Sequence, residues 1–129
     1  MNASSEALDW TSLRQLSDLL GPEGLDDLDD LVETFLGDFP QQLHALRESL
    51  ATSNTVRLKG VAHTAKGSSA TMGALGLSAL CLEVEGLCDS GDMASLEGTF
   101  DRLDGELERV RQELLLWRER IVVRPDGHS

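Results

Sequence analysis

Apolar residues recur every three or four positions along most of this chain, and the breaks between those runs divide it into five helical segments. The first spans about Leu8 to Leu20 and stops at "GPEG", where Gly21 and Pro22 end one helix and Pro22 opens the turn before the next. The second spans about Glu23 to Leu50, with Leu28, Leu31, Val32, Phe35, Phe39, Leu43, Leu46 and Leu50 at helical spacing. Pro40 lies inside that run and predicts a kink or short break near Gly37 to Pro40. "ATSNT" interrupts the pattern, and Ser53 or Asn54 can cap a third helix that reaches about Met72 and stops at Gly73. A fourth helix, about Ala74 to Asp89, carries Leu77, Leu80, Cys81, Val84, Leu87 and Cys88 on its inner side. After the turn "SGD", Asp92 caps a fifth helix that runs to about Arg120. There Leu103, Leu107, Val110, Leu114, Trp117 and Ile121 alternate four and three apart as a coiled-coil-like seam. Leu115 and Leu116 fall off that seam, free to meet the first helix or another molecule, and residues 121–129 are expected to be disordered. The pattern therefore predicts an all-α fold, an antiparallel four-helix bundle with an additional short N-terminal helix packed across it. It is one domain over residues 1–129, with a core from about 8 to 120.

Composition supports the class and narrows the partners. Leucine dominates the apolar set, tyrosine is absent, and 129 residues are enough to bury a core without disulfides or metals. The formal net charge of −12 disfavours nucleic acid and anionic lipid as partners. No apolar run reaches about 18 residues and the N-terminus has no basic-plus-apolar leader pattern, so the expectation is a cytoplasmic protein with no membrane contact, monomeric. Cys81 and Cys88 share a helix face but stand roughly 10 Å apart along its axis, too far to bridge. They read as small core residues in a reducing compartment.

The acid is unevenly distributed. From Ser49 to Leu82 there is no Asp or Glu, and the only two lysines of the chain, Lys59 and Lys66, lie inside that gap with Arg57. His63 sits between them. At 100° per residue with His63 at zero, Lys59 falls at about −40°, Lys66 at about −60°, Gly60 at about +60°, Gly67 at about +40° and Ala70 at about −20°. Leu58, Val61, Ala65 and Met72 fall on the opposite side and form the expected core stripe. His63 is therefore no core histidine. A surface histidine needs no explanation by itself, but its neighbours do. Each helical glycine costs about 1 kcal/mol relative to alanine, so Gly60 and Gly67 together forgo about 2 kcal/mol and keep side chains away from the imidazole. Such bareness suits a partner that must approach closely. Two ammonium groups a turn either side leave a ring nitrogen lone pair free and would stabilise a dianion placed on it. An exposed imidazole among small residues and cations suits nucleophilic capture of a phosphoryl group.

Other chemistry lacks its pattern. His44 reads as a surface residue and His128 lies in the tail, neither paired with a second histidine at ligand spacing. No H-E-x-x-H, C-x-x-C or G-x-S-x-G occurs, and "KGS" at Lys66 reverses the order of a phosphate loop and has no preceding strand. The acidic run Asp26 to Asp30 is a solvated helix start, and Trp10 and Trp117 read as packing residues.

The stretch "AHTAKGSSATMGALGLSALCLEVE" resembles the signature of histidine-containing phosphotransfer (HPt) domains of bacterial phosphorelays, H-x-L-K-G-S-S/A followed by G-A, a leucine and a carboxylate or amide. The likeness extends through "LDDLVETFLGDFPQQLHALRESLATSNTVRL" and covers about Leu25 to Leu116. It implies that His63 is the phosphoacceptor, that Lys66 steadies the phosphoryl oxygens, and that Gly67 gives a receiver domain room to dock. Ser68 and Ser69 match the small polar pair, and Gly73 and Ala74 the turn to the next helix. Glu85 matches the Gln or Glu that the family places close to the histidine. The docking surface is then Lys59, Gly60, Gly67, Ser68, Ala70 and Glu85. Ala65 departs from the family's leucine, at what the wheel makes a core position. The implied function is a phosphoryl carrier that takes its group from a receiver aspartyl phosphate and passes it to another receiver aspartate. The implied partners are receiver domains of response regulators or hybrid kinases. No cofactor or metal is implied in this chain, Mg²⁺ coming from the receiver, and no ATP-dependent kinase activity is expected. The alternatives are a helical adaptor or inhibitor that binds without phosphotransfer, and a phosphoacceptor module of a larger sensor kinase.

Overall fold

A computed structural model describes residues 8–20 and 25–127. The elements are α1 (Trp10–Leu20), α2 (Leu25–Ala51), α3 (Thr55–Thr71), α4 (Leu75–Ser90) and α5 (Leu96–Gly127), with a single 3₁₀ turn (Met93–Ser95) leading into α5. Among the described residues there is no strand. Helix α2 packs on α3, α3 on α4, α4 on α5, and α5 back on α2, which closes a four-helix bundle, while α1 lies against α2. The pairing is antiparallel: Asp29 and Arg47 near the two ends of α2 meet Arg118 and Glu97 near the opposite ends of α5.

The connections obey local chemistry. Asn54 caps α3, its side chain accepting from Arg57 N–H (3.0 Å). Gly73 takes φ +76° and Gly91 φ +77°, left-handed conformations that turn the chain into the next element at no Cβ cost. Asp92 caps the 3₁₀ turn through Ser95 rather than α5 itself, which begins one turn later than the pattern suggested. The chain before α1 is tied down at both sides, with Asp9 N–H donating to Gly73 O (2.7 Å) and Leu8 N–H donating to Glu113 Oε1 (3.2 Å). Leu8 and Leu13 thereby enter the core.

The core is continuous, built from Phe39, Leu46, Leu58, Leu77, Val84, Phe100, Leu103 and Leu114 with the residues around them. Cys81 and Cys88 are buried within it, and burial pushes the Cys81 thiol up to about 12. Trp117 packs against the core from α5, whereas the side chains of Trp10 and Ile121, the α1–α2 turn and His128 fall outside the described residues.

Four expectations change. Of the kink or short break expected at Pro40, no break occurs: α2 is continuous, the Pro40 ring sits on the exposed side and the flanking Phe39 and Leu43 are buried. Leu31 is largely exposed, at the edge of the α2 stripe. Helix α5 passes Arg120 and runs to Gly127, so the backbone is helical where a disordered tail was expected. On α3 the buried residues are Leu58, Ala62, Ala65 and Ser69, with Met72 just past the end, while Val61 is only half-buried. The inner stripe is rotated toward Ala62 and Ser69 because α3 packs most extensively on α4, and small side chains permit that close approach.

Candidate functional site

Helices α3 and α4 run antiparallel, so one face of α3 meets one face of α4 in a ladder of polar rungs. At the first rung Lys59 Nζ lies 2.5 Å from Asp89 Oδ1. At the second His63 Nδ1–H donates to Glu85 Oε2 (3.1 Å), and Lys66 Nζ donates to Glu85 Oε1 (3.4 Å). At the third Ser78 Oγ–H donates to Lys66 O (3.2 Å), which ties the lysine's own backbone to α4. Ser78, Glu85 and Asp89 are two turns and one turn apart on α4, so all three face α3.

The exposures define what this ladder can do. The His63 side chain is 73% exposed and that of Glu85 only 12%, with Lys66 between them at 29%. A carboxylate only accepts, so the shared hydrogen sits on Nδ1 and the lone pair sits on Nε2. Nε2 has no partner among the described residues. Glu85 thus fixes the ring's tautomer and orientation from below, while Nε2 is left to solvent.

The surroundings are bare, as the wheel implied. A Cβ placed on Gly60 or on Gly67 would find nothing within 4 Å. Ala70 is exposed one turn beyond. On the other side of α3, Gly60 and Thr64 line an open groove of about 530 Å³ against α2, with Asp38, Gln41, Gln42 and Arg57.

The structure separates residues that the sequence grouped together. Lys59 belongs to the same face as His63 but turns to Asp89, whose hydrogen bond holds the ammonium above the usual lysine range. Lys66 shares a carboxylate with the histidine. The expectation that the two ammonium groups keep the ring lone pair free is therefore revised: each lysine has an acid on α4, and the free lone pair follows from Glu85 fixing the tautomer. Ser68 and Ser69 bond back to their own helix, Ser68 Oγ–H to Ala65 O (3.2 Å) and Ser69 Oγ–H to Ala65 O (2.6 Å). Ser69 is fully buried, so only Ser68 borders the exposed face. Asp89 and Ser78 were missed in the sequence, and their signal was available: they share Glu85's face of α4 at helical spacing. Among the described residues no group of His, Cys, Asp or Glu could hold a metal ion, and no helix is long and apolar enough to cross a membrane.

Known proteins resemble this chain in sequence and in fold. The phosphorelay protein LuxU of Vibrio vulnificus, in strains YJ016 and CMCP6, is 27% identical over 107 residues, covering 81% of this chain and 91% of the relative. The crystal structure of histidine-containing phosphotransfer protein B (HptB) from Pseudomonas aeruginosa PAO1 superimposes with a TM-score of 0.81 at 27% identity, covering 88% of this chain and 96% of that one. The model of the Hpt domain family matches residues 30–113, a span that runs from α2 into α5 and contains the whole α3–α4 ladder. The chain belongs to the Hpt domain family, the histidine phosphotransfer domains of two-component signalling.

Proposed function

We propose that this protein is a phosphorelay carrier in which His63 accepts a phosphoryl group from a receiver-domain aspartyl phosphate and returns it to another receiver aspartate. The observation that carries this reading is the His63 ring pinned through Nδ1 to Glu85, with Nε2 free on a face kept bare by Gly60 and Gly67. The names of its relatives, a phosphorelay protein and a phosphotransfer protein, point the same way.

The chemistry follows from the geometry. The Nε2 lone pair attacks phosphorus in line with the acyl-phosphate oxygen, the N–P bond forms, and the P–O bond breaks toward the receiver carboxylate. Lys66 is anchored beside the ring by Glu85 and can offer its remaining ammonium hydrogens to the phosphoryl oxygens. The receiver supplies Mg²⁺ and its own acidic pocket. Gly67 and Gly60 let the receiver's loops approach the ring without meeting a side chain. The chain then acts as nucleophile, cation and docking platform, with no ATP-dependent kinase activity of its own.

The test is phosphotransfer from a panel of receiver domains of the same cell, each loaded with acetyl phosphate. Wild type becomes labelled by at least one receiver, His63→Gln is not labelled, and ATP alone labels neither. Equal labelling of His63→Gln would overturn the assignment.

A further inference from the structure

One feature of the site is stronger than ring orientation requires. The group beneath His63 is a carboxylate, 12% exposed and bonded to both His63 and Lys66. An amide in that place could turn over and present either its oxygen or its nitrogen to Nδ1. A carboxylate can only accept. Resting on the carrier reading above, we infer that Glu85 keeps the hydrogen on Nδ1 throughout the phosphoryl cycle and so holds the phosphorylated ring in its readily discharged form.

The balance of the step shows why this matters. When neutral His63 attacks through Nε2, the ring keeps its Nδ1 hydrogen and becomes a phosphoimidazolium, positive on the ring and dianionic on the phosphoryl group. If Nδ1 then lost that hydrogen, its lone pair would face the Glu85 oxygen at hydrogen-bond distance, lone pair against lone pair. With the hydrogen retained, the positive ring makes a charge-assisted bond to the same oxygen. On discharge the N–P electron pair returns to Nε2 and the ring leaves as neutral imidazole, its hydrogen already on Nδ1. No proton has to enter or leave in either direction. A ring without that hydrogen would have to leave as an anion, a far poorer leaving group, so it would hold its phosphoryl group longer. The inward acid also occupies part of Lys66, leaving less positive charge to hold the phosphoryl group in place. Both effects make this a carrier built for quick release rather than storage.

Glu83 provides an internal control. It lies on the same helix but points to α5, where Arg102 and Thr99 bind it and hold its carboxyl below the usual carboxylate range. Glu83→Gln removes the same unit of negative charge from α4 without touching His63.

The experiment loads the full chain with phosphoramidate, removes the donor, and follows phosphohistidine decay by ³¹P NMR at fixed neutral pH for wild type, Glu85→Gln and Glu83→Gln. Nitrogen NMR of the ¹⁵N-labelled ring is recorded in parallel. Glu85→Gln should lengthen the phosphohistidine lifetime by about tenfold, the scale of exchanging a charge-assisted hydrogen bond for a neutral one. Glu83→Gln should match wild type, and the phosphorylated wild-type ring should retain its Nδ1 hydrogen. A phosphorylated wild-type ring without that hydrogen would overturn the inference whether or not Glu85→Gln folds. So would an unchanged or shortened lifetime in Glu85→Gln, or an equal lengthening in Glu83→Gln. Failure of wild type to form phosphohistidine at His63 would overturn the carrier reading and this inference together.

Discussion

The α2–α5 and α3–α4 seams both join cations to acids across neighbouring helices, and they are built to opposite ends. Between α2 and α5, Arg47 lies within 3.4 Å of Glu97, 3.3 Å of Asp101 and 2.5 Å of Asp104, with its guanidinium 5.7 Å from the Phe100 ring centroid. One cation is saturated by three acids and an aromatic face. Between α3 and α4, two lysines and one histidine share two acids, and one ring nitrogen is left over. In the first seam the acids are the exposed partners. In the second the key acid, Glu85, is nearly buried and the histidine is exposed. A saturated exposed cluster leaves no cation free and adds little beyond surface pairing. An acid beneath an exposed imidazole orients the ring and leaves its other nitrogen open, as the proposed carrier role requires.

The comparison breaks most sharply at Gly67. Nothing lies within 4 Å of a Cβ added there, and the position is exposed mid-helix, so Gly67→Leu is accommodated by the fold and gains about 1 kcal/mol of helix propensity. The same side chain stands one turn from His63, in the space that the proposed function gives to a receiver. Transfer from a phosphorylated receiver should fall about a hundredfold or more, the scale on which misplacing reacting groups by about 1 Å acts, while Tm holds or rises. Undiminished transfer in the folded variant would show that the bare face is not the docking face.

That contrast was partly legible in the sequence. The helices could be placed because their apolar residues repeat at 3.6, and His63 could be put outside the core because its opposite face holds Leu58, Ala65 and Met72. The inner stripe of α3 was set too near Val61 because Ala62 and Ser69 carry little hydrophobic signal, although close helix packing selects such small residues. The pairing of the charges was not legible. A helical wheel shows which residues share a face, but the rung each side chain joins depends on the register of α4 against α3. That register is set by the Gly73 turn and the tight α3–α4 contact. On the wheel alone Lys59 and Lys66 flank His63 alike, and only the resemblance told them apart; in the structure Lys59 closes a surface ion pair with Asp89 while Lys66 shares Glu85 with the histidine. Pro40 misled for a related reason: sequence registers the lost N–H but not the buried neighbours that keep the helix together.

Lys66→Ala sharpens the difference between the two lysines. Lys66 shares Glu85 with the ring, and in the proposed transfer it contacts the phosphoryl group; losing one such electrostatic contact costs about ten- to hundredfold in rate. Transfer kinetics should show that loss, whereas Lys59→Ala should stay within about threefold of wild type. Equal losses in the two variants would show that the pairing of Lys66 with Glu85 does not set it apart from Lys59. On the other seam, Arg47→Ala should leave transfer unchanged and lower stability by about 1 kcal/mol. Its ion pairs are half in solvent and screened, and the stacking on Phe100 is lost with them. Denaturant midpoints would check this, and a transfer defect without a stability loss would show that the α2–α5 seam serves function after all.

The smallest expected effect is the most discriminating, because it asks whether a paired lysine is inert or held in reserve. Asp89 is the only acid within bonding distance of Lys59 among the described residues, and the pair is exposed on both sides. Asp89→Asn should therefore leave Tm unchanged within error, as exposed ion pairs usually do. It also removes one negative charge from the docking face and frees the Lys59 ammonium to turn toward His63, one turn along α3. A receiver surface built around an acidic pocket should then associate faster, by about twofold at low salt, and the gain should vanish as ionic strength rises. In the double variant with Lys59→Ala the gain should disappear. If it persists there, the lost aspartate charge alone is responsible and Lys59 takes no part in docking.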